Sequence, residues 1–303
     1  MLKSPLKWVG GKSKLFSSIS QHYPSEINNY HELFVGGGSA LIGLLDMVKQ
    51  SKIKINGKIY AYDSNEVLIA FYKFLQTDYE ALYSKVFKLK NNLEYIKRKE
   101  ELEIEKKKKK DLTEEDKEIL KKMNERRSDF YYQLRVFYNN RKLDEDKIAM
   151  FVFLNKTCFR GVFRLNKKGG YNVPYGNYDN PEIVNKEHLK QVSELIKDVE
   201  FICCDFEKVK NIKDDDFVYM DPPYVPEKKA GFVSYNKTGF VKEKHEALFK
   251  ICNYMKCKWV LSNSNTETVK DALKNFNIQE IDARRAINSK NPAAKTKEVI
   301  IYN

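Results

Sequence analysis

At 303 residues the chain is two to three times the commonest domain size, which suits one large catalytic domain carrying a smaller insertion. Hydrophobic residues make up 42% of it, which excludes global disorder, and no apolar run approaches the ~20 residues that span a bilayer. A net charge of +13 points to a polyanionic partner.

The chain opens on Leu6-Lys7-Trp8-Val9-Gly10-Gly11-Lys12 with no apolar signal-peptide stretch ahead of it, so a cytoplasmic protein is expected. Residues 31–35 then read as a short strand ending at Gly36-Gly37-Gly38-Ser39, and residues 40–47 are apolar at helical spacing. A second strand follows at 58–62 and closes on Asp63-Ser64-Asn65. Strand, glycine turn, helix, strand is how a doubly wound sheet begins. From about residue 75 to 150 the pattern is helical and polar. Strand signals return at 200–204, 217–220, 259–262 and 299–302, so the C-terminal part resumes the sheet.

The charge is unevenly useful. Residues 94–127 carry thirteen Lys/Arg against eleven Asp/Glu, a mixed-sign run that reads as a solvated helix or hairpin. Residues 155–178 hold five basic and no acidic residues, interleaved with Phe159, Phe163, Tyr171, Tyr175 and Tyr178, and residues 284–297 hold five more. Basic side chains among aromatic rings suit a nucleic-acid surface. The cysteines at 158, 203, 204, 252 and 257 and the histidines at 22, 31, 188 and 245 form no zinc spacing or disulfide framework, so no metal is expected.

Two places can carry chemistry. Phe34-Val35-Gly36-Gly37-Gly38 puts small residues at a strand tip where backbone approaches a ligand, and Asp63 ends the next strand, where an acidic residue binds ribose hydroxyls. No phosphate-gripping Gly-Lys-Ser/Thr accompanies them, which favours an adenosine cofactor without phosphates. Asp221-Pro222-Pro223-Tyr224 follows the strand at 217–220. An exocyclic amine conjugated to an aromatic ring suits this set: Asp221 and the Pro222 carbonyl accept its two hydrogens, localising the lone pair, while Tyr224 stacks on the ring.

Leu6 to Lys12, Phe34-x-Gly36-x-Gly38 and Asp221-Pro222-Pro223-Tyr224, in that order, resemble the Dam-type DNA adenine-N6 methyltransferases. Phe153-Leu154-Asn155, residues 161–166, 171–176 and Arg284-Arg285 also match that pattern, so the likeness covers nearly the whole chain. It implies an α/β fold, a Rossmann-like class I methyltransferase sheet formed by residues 1–74 and 180–303, with an inserted helical DNA-recognition domain at 75–179 and a charged helical expansion near 94–127. It implies S-adenosylmethionine as cofactor, held by Trp8, Lys12, Glu32, Phe34, Gly36, Gly38, Asp63, Asp205, Phe206 and Asp221. It implies double-stranded DNA as partner, flipped at the target adenine, gripped or read by Lys7, Phe159, Arg160, Arg164, Asn166, Asn172 and Pro174, with Arg164 suited to guanine and GATC or a related site as target. A monomer is expected. The pattern commonly has Tyr and Asn where Phe159 and Arg160 stand, and a basic residue at Asn177. The alternatives are an N4-cytosine methyltransferase and a catalytically silent DNA-binding protein.

Overall fold

The computed structural model describes residues 2–105, 114–226, 240–284 and 295–303. The chain forms two compact units: Met1–Ser4, Gly10–Lys73 and Glu194–Asn303 in the first, Pro5–Val9 and Phe74–Ser193 in the second.

The first unit is built on a mostly parallel sheet. Its strands are β2 (Tyr30–Glu32), β4 (Ile59–Asp63), β5 (Val199–Cys203), β6 (Phe217–Met220), β7 (Lys258–Ser264), β8 (Asn277–Arg284) and β9 (Lys295–Tyr302); β1 (Glu26–Ile27) and β3 (Lys54–Ile55) form a separate parallel pair. The sheet order is β5-β4-β2-β6-β7-β9-β8, and among these strands β9 alone points opposite to the rest. From β2 the chain crosses to β4 on one side, while β6 flanks β2 on the other. Connections leaving in opposite directions open a crevice at the strands' carboxyl ends, where open α/β sheets hold ligands.

The strand sequences follow from burial. All four residues of β6 are buried, so it is apolar throughout, as strands covered on both faces are. Beside it Trp259, Leu261, Val299 and Ile301 pack with Leu248 and Phe249 of a helix at Lys242–Tyr254. The expected strand at 31–35 is shorter as a regular ladder, but its hydrogen bonds continue from Leu33 N to Tyr219 O and from Val35 N to Tyr62 O. Strand β8 escaped the sequence pattern because it lies at the sheet edge, where Gln279, Glu280 and Asp282 need not be apolar.

Behind the ladder, buried His31 places Nδ1 3.1 Å from the Tyr62 hydroxyl and Nε2 3.1 Å from Asp216 Oδ2. Asp216 also accepts from Asn29 N and Nδ2 and from Lys213 N. This polar knot fixes the start of β6 against β2.

The second unit is mainly helical: α4 (Tyr79–Glu105), α5 (Glu114–Asn140) and α6 (Glu145–Thr157) pack on one another. Helix α6 starts inside the stretch read as helical and polar and runs beyond it into an apolar one. It is capped by the Asp144 carboxylate on Lys147 N and buries Ile148, Phe151, Val152, Phe153 and Leu154. Between α4 and α5, residues 106–113 lie outside the described residues, the lysine run among them, as do residues 285–294 of the second basic segment.

In α2 (Ser39–Lys49), Gly43 lies against α1 (Phe16–Ile19), and a Cβ there would meet the Phe16 ring at 2.5 Å. Gly43→Ala should therefore destabilise the protein by ~1–3 kcal/mol through overpacking, although helix propensity alone favours alanine by about 1 kcal/mol. Urea unfolding checks it, and a gain in stability would contradict the packing.

Candidate active site and nucleic-acid interface

In the first unit the tips of β2, β4 and β6 bring several expected residues together. After β2 the backbone turns through Gly36 (φ 47°) and Gly38 (φ 72°), left-handed values that glycine adopts without strain. A Cβ on Gly38 would lie 2.6 Å from the Tyr72 hydroxyl, which itself donates to Gly36 O at 2.9 Å. The loop is thus a cradle bare of side chains and braced from below. Asp63 stiffens it by accepting from Gly36 N at 3.1 Å and Asn65 N at 2.9 Å, while burial raises its carboxyl above the usual range.

Glu32, the last residue of β2, is 2% exposed. It accepts from the Tyr30 hydroxyl at 2.8 Å and from the Leu41 amide at the start of α2. Burial nonetheless lifts its pKa to about 8, with the neighbouring Asp221 charge adding to the effect.

Asp221 follows β6 directly. Its Oδ1 is 2.8 Å from Lys12 Nζ, and that lysine side chain is 4% exposed. The Lys12 amide donates to Ser39 Oγ and its ammonium to Gly10 O, so the N-terminal segment is pinned beside the glycine turn. Burial pushes Asp221 up to about 6, and Lys12 restrains the rise. The Lys12 ammonium also stands 4.8 Å from the Tyr224 ring centroid. Beyond Tyr224, Val225 N donates to Asn263 Oδ1 and Val225 O accepts from Ser264 Oγ, anchoring the loop on the end of β7.

A third group lies after β5. Phe34, Phe206 and Phe240 form an aromatic cluster with centroids 5.3–5.8 Å apart. Burial works against ionisation of Asp205, but the Lys244 ammonium at 2.9 Å and the Glu207 amide hold its carboxyl below the usual range. Lys244, Phe240, Asn263 and Glu298 were not singled out from sequence. Each acts through a partner distant in the chain, and no local motif marks it.

The expected DNA-contacting residues all lie in the second unit. Lys7 exchanges backbone bonds with the Asn155 carboxamide, donates from Nζ to Lys156 O at 2.9 Å, and sits 3.9 Å over the Tyr178 ring. Burial and the Lys7 charge lower Lys156 to about 8. Trp8 also belongs to this unit, stacked on Phe163 at 5.9 Å. Arg164 Nε donates to Asn172 Oδ1 at 2.8 Å, and Leu165 bridges to Tyr171 across a turn whose amides at Lys168 and Gly170 donate to Asn166 Oδ1. The Asn166 oxygen is thus spent inside the turn. Phe159 is 47% exposed, and its amide is bonded to Pro174 O. Arg160 has φ 57° and ψ 18°, with its amide on the Tyr178 hydroxyl.

Among the described residues no three His, Cys, Asp or Glu side chains gather as a metal site, and no helix is long and apolar enough to cross a membrane.

A mixed α/β unit with acidic and glycine-rich strand tips around its switch point has the layout of the open α/β sheets that hold ligands at their strands' carboxyl ends. Comparison with known proteins makes this specific. The chain matches the model of the D12 class N6 adenine-specific DNA methyltransferases over residues 8–119 and 102–287. It is 36% identical to the type II methyltransferase M.MjaIII of Methanocaldococcus jannaschii, covering 100% of this chain and 99% of that one. It is 31% identical to the type II methyltransferase M1.LlaDCHI of Lactococcus lactis subsp. cremoris (98% and 94% covered) and 28% identical to a DNA adenine methylase of Vibrio cholerae (96% and 92% covered). The chain belongs to the D12 class N6 adenine-specific DNA methyltransferase family, and it is an adenine-specific DNA methyltransferase. Family membership decides for adenine N6 over cytosine N4, and for an enzyme over a silent DNA binder.

The left-handed backbone at Arg160 costs a non-glycine residue roughly 1–2 kcal/mol, and Asn tolerates it better than Arg. Arg160→Asn should raise stability by up to about 1 kcal/mol in urea unfolding. A loss of stability would mean that contacts of the guanidinium outweigh the strain.

Proposed function

We propose that this enzyme transfers a methyl group from S-adenosylmethionine to N6 of adenine in duplex DNA, at GATC or a related short site, after rotating the target base out of the stack. The observation that carries the reading is the placement of Asp221 and Tyr224 at the tip of β6, beside the Glu32 carboxyl and the glycine cradle of β2. In this reading the first unit is a Rossmann-like class I catalytic domain and the second an inserted recognition domain, which takes in Pro5–Val9 and runs from Phe74 to Ser193 where the sequence reading had 75–179. A cytoplasmic monomer acting on double-stranded DNA fits the same reading.

The residues suit the donor by their chemistry. Glu32 is a buried acidic group for an amino acid's ammonium. Gly36 and Gly38 both hold left-handed φ, and at Gly38 a Cβ would run into the Tyr72 hydroxyl, so the turn presents bare backbone to ligand atoms. Asp63 offers carboxylate oxygen to ribose hydroxyls, Phe34 and Phe206 present rings to a purine, Asp205 stands beside them, and Lys12 completes the set within the first unit. When bound, the donor supplies a methyl group on a positively charged sulfur.

The chain's own residues do the rest. Lys12 occupies Asp221 Oδ1 and keeps the carboxylate ionised, leaving Oδ2 to accept from the adenine amine. The Pro222 carbonyl accepts the second hydrogen, so the nitrogen lone pair is drawn out of the ring as the nitrogen becomes tetrahedral. Stacking on Tyr224 offsets the few kcal/mol lost when the base leaves the helix. For DNA, Arg164 offers a planar fork to guanine O6 and N7. Phe159 is a wedge for the opened stack, and Lys7, Arg160, Asn166, Asn172 and Pro174 line the contact surface.

Incubation with labelled donor and short duplexes, followed by location of the methylated base, tests the reaction and the site together. Asp221→Ala should lower kcat by roughly 100- to 1,000-fold. In the wild type kcat/KM should fall as pH drops through about 6, because protonated Asp221 can no longer accept from the amine. Lys12→Met should move that fall to higher pH, since Lys12 is what restrains the Asp221 pKa. Activity flat down to pH 5 would remove Asp221 from this role.

Glu32 gives an independent check on the donor. At pH 7 its carboxyl, with a pKa of about 8, is mostly protonated in the free protein, and an ammonium beside it would ionise it. Donor binding should therefore release a proton, seen as a calorimetric heat that varies with the buffer's ionisation enthalpy. The release should vanish in Glu32→Gln. Buffer-independent heats would place the ammonium elsewhere.

A further inference from the structure

The ring of Tyr224 can stack on a base only if it holds one orientation before the base arrives. Three staggered rotamers are open to a tyrosine side chain about its Cα–Cβ bond, and a loop residue ordinarily samples more than one. Here both ends of the residue are tied. The backbone on its C-terminal side is fixed at Val225 by Asn263 and Ser264 of β7. The far end of the ring is fixed by a different strand: the Tyr224 hydroxyl donates to Glu298 Oε2 at 2.7 Å. Burial, followed by the Asp221 and Glu298 charges, holds the phenol well above its ordinary pKa, so the hydroxyl keeps the proton it donates.

Glu298 is well placed for this task. It lies on β9 opposite Ser264 in the antiparallel register, so it reaches the carboxyl edge of the sheet although its own strand runs the other way. The strand reversal after β7 supplies, next to the loop, a carboxylate that the parallel strands do not provide there. Asp221, Lys12, Tyr224 and Glu298 thus form one chain of contacts: carboxylate to ammonium, ammonium to ring face, ring hydroxyl to carboxylate.

We infer that Glu298 is a positioning residue for methyl transfer, holding the Tyr224 ring through its hydroxyl in the orientation that receives the flipped adenine. The inference rests on the reading of Tyr224 as the stacking partner of the target base. Glu298 touches neither donor nor base in this scheme. Its contribution is preorganisation, and it is felt in the steps that use the ring.

The test uses the full-length enzyme and a duplex carrying 2-aminopurine at the methylatable position, whose fluorescence rises when the base leaves the stack, alongside methyl transfer on the adenine duplex. Glu298→Ala should lower kcat about 10-fold and reduce the fluorescence rise, with donor affinity by calorimetry within twofold of wild type. Tyr224→Phe keeps the ring and loses only the hydroxyl, so it should show the same loss. The double variant should lose about 10-fold, not the 100-fold that independent effects would give. Glu298→Gln retains an oxygen acceptor and should recover most of the activity.

Wild-type kcat in Glu298→Ala, multiplicative losses in the double variant, or a donor affinity that falls with kcat would each overturn the inference. If Glu298→Ala does not fold, Tyr224→Phe and Glu298→Gln decide: full activity in Tyr224→Phe, or a loss in Glu298→Gln equal to it, overturns the inference. Failure of the parent reading is distinct, since Tyr224→Ala, which removes the ring itself, would then methylate adenine at the wild-type rate.

Discussion

The ion pair between Lys12 and Asp221 is the constraint on which the catalytic corner depends. A lysine 4% exposed would lose several kcal/mol of solvation without a partner, and without that cation burial would push Asp221 still higher than about 6. Each group makes the other's charge tolerable. The pair also joins the N-terminal segment to the tip of β6, and through Ser39 Oγ it touches the start of α2. Cradle, carboxylate and ring are thereby assembled around a single ammonium, which also faces the Tyr224 ring.

This arrangement is held against a cost in stability. Asp221 and Glu32 both have pKa values raised by burial, to about 6 and about 8. For such groups the folded state binds the proton more tightly than the unfolded chain. Their stabilising contribution is complete below the ordinary carboxylate range and is lost as pH rises through those values. At neutral pH the free enzyme therefore carries carboxyl groups in surroundings that disfavour their charge. A ligand's ammonium or a substrate's amine hydrogens answer that unmet demand, which is how a site can be unfavourable for folding and favourable for binding.

The second unit shows the same economy in its backbone. Arg160 and Asn177 both have positive φ, yet only Asn takes that region readily. Nearby, Lys7 and Lys156 are brought together with both amines depressed by burial, a concentration of positive charge in partly dry surroundings that suits a polyanion. The Asn166 carboxamide oxygen, by contrast, is occupied in stabilising its own turn.

Much of the fold was written locally. The apolar run of β6, the glycines after β2 and the Asp-Pro-Pro-Tyr tetrapeptide each declare themselves within a few residues, because burial on two faces, positive φ and a rigid strand-end turn impose strong local composition. Sequence therefore determined the sheet's main strands, their alternation with helices and the identity of the carboxylate at the tip of β6. It did not determine the edge strand β8, whose solvent face permits polar residues, nor that α4 and α5 are the helices covering the apolar α6. Nor did it pair Glu298 with Tyr224, Lys244 with Asp205, or Lys12 with Asp221. Those partners are far apart in the chain, and a single charged residue carries no periodicity. Only the sheet order, with β2 and β6 adjacent and β9 turned back along β7, brings them within hydrogen-bonding distance.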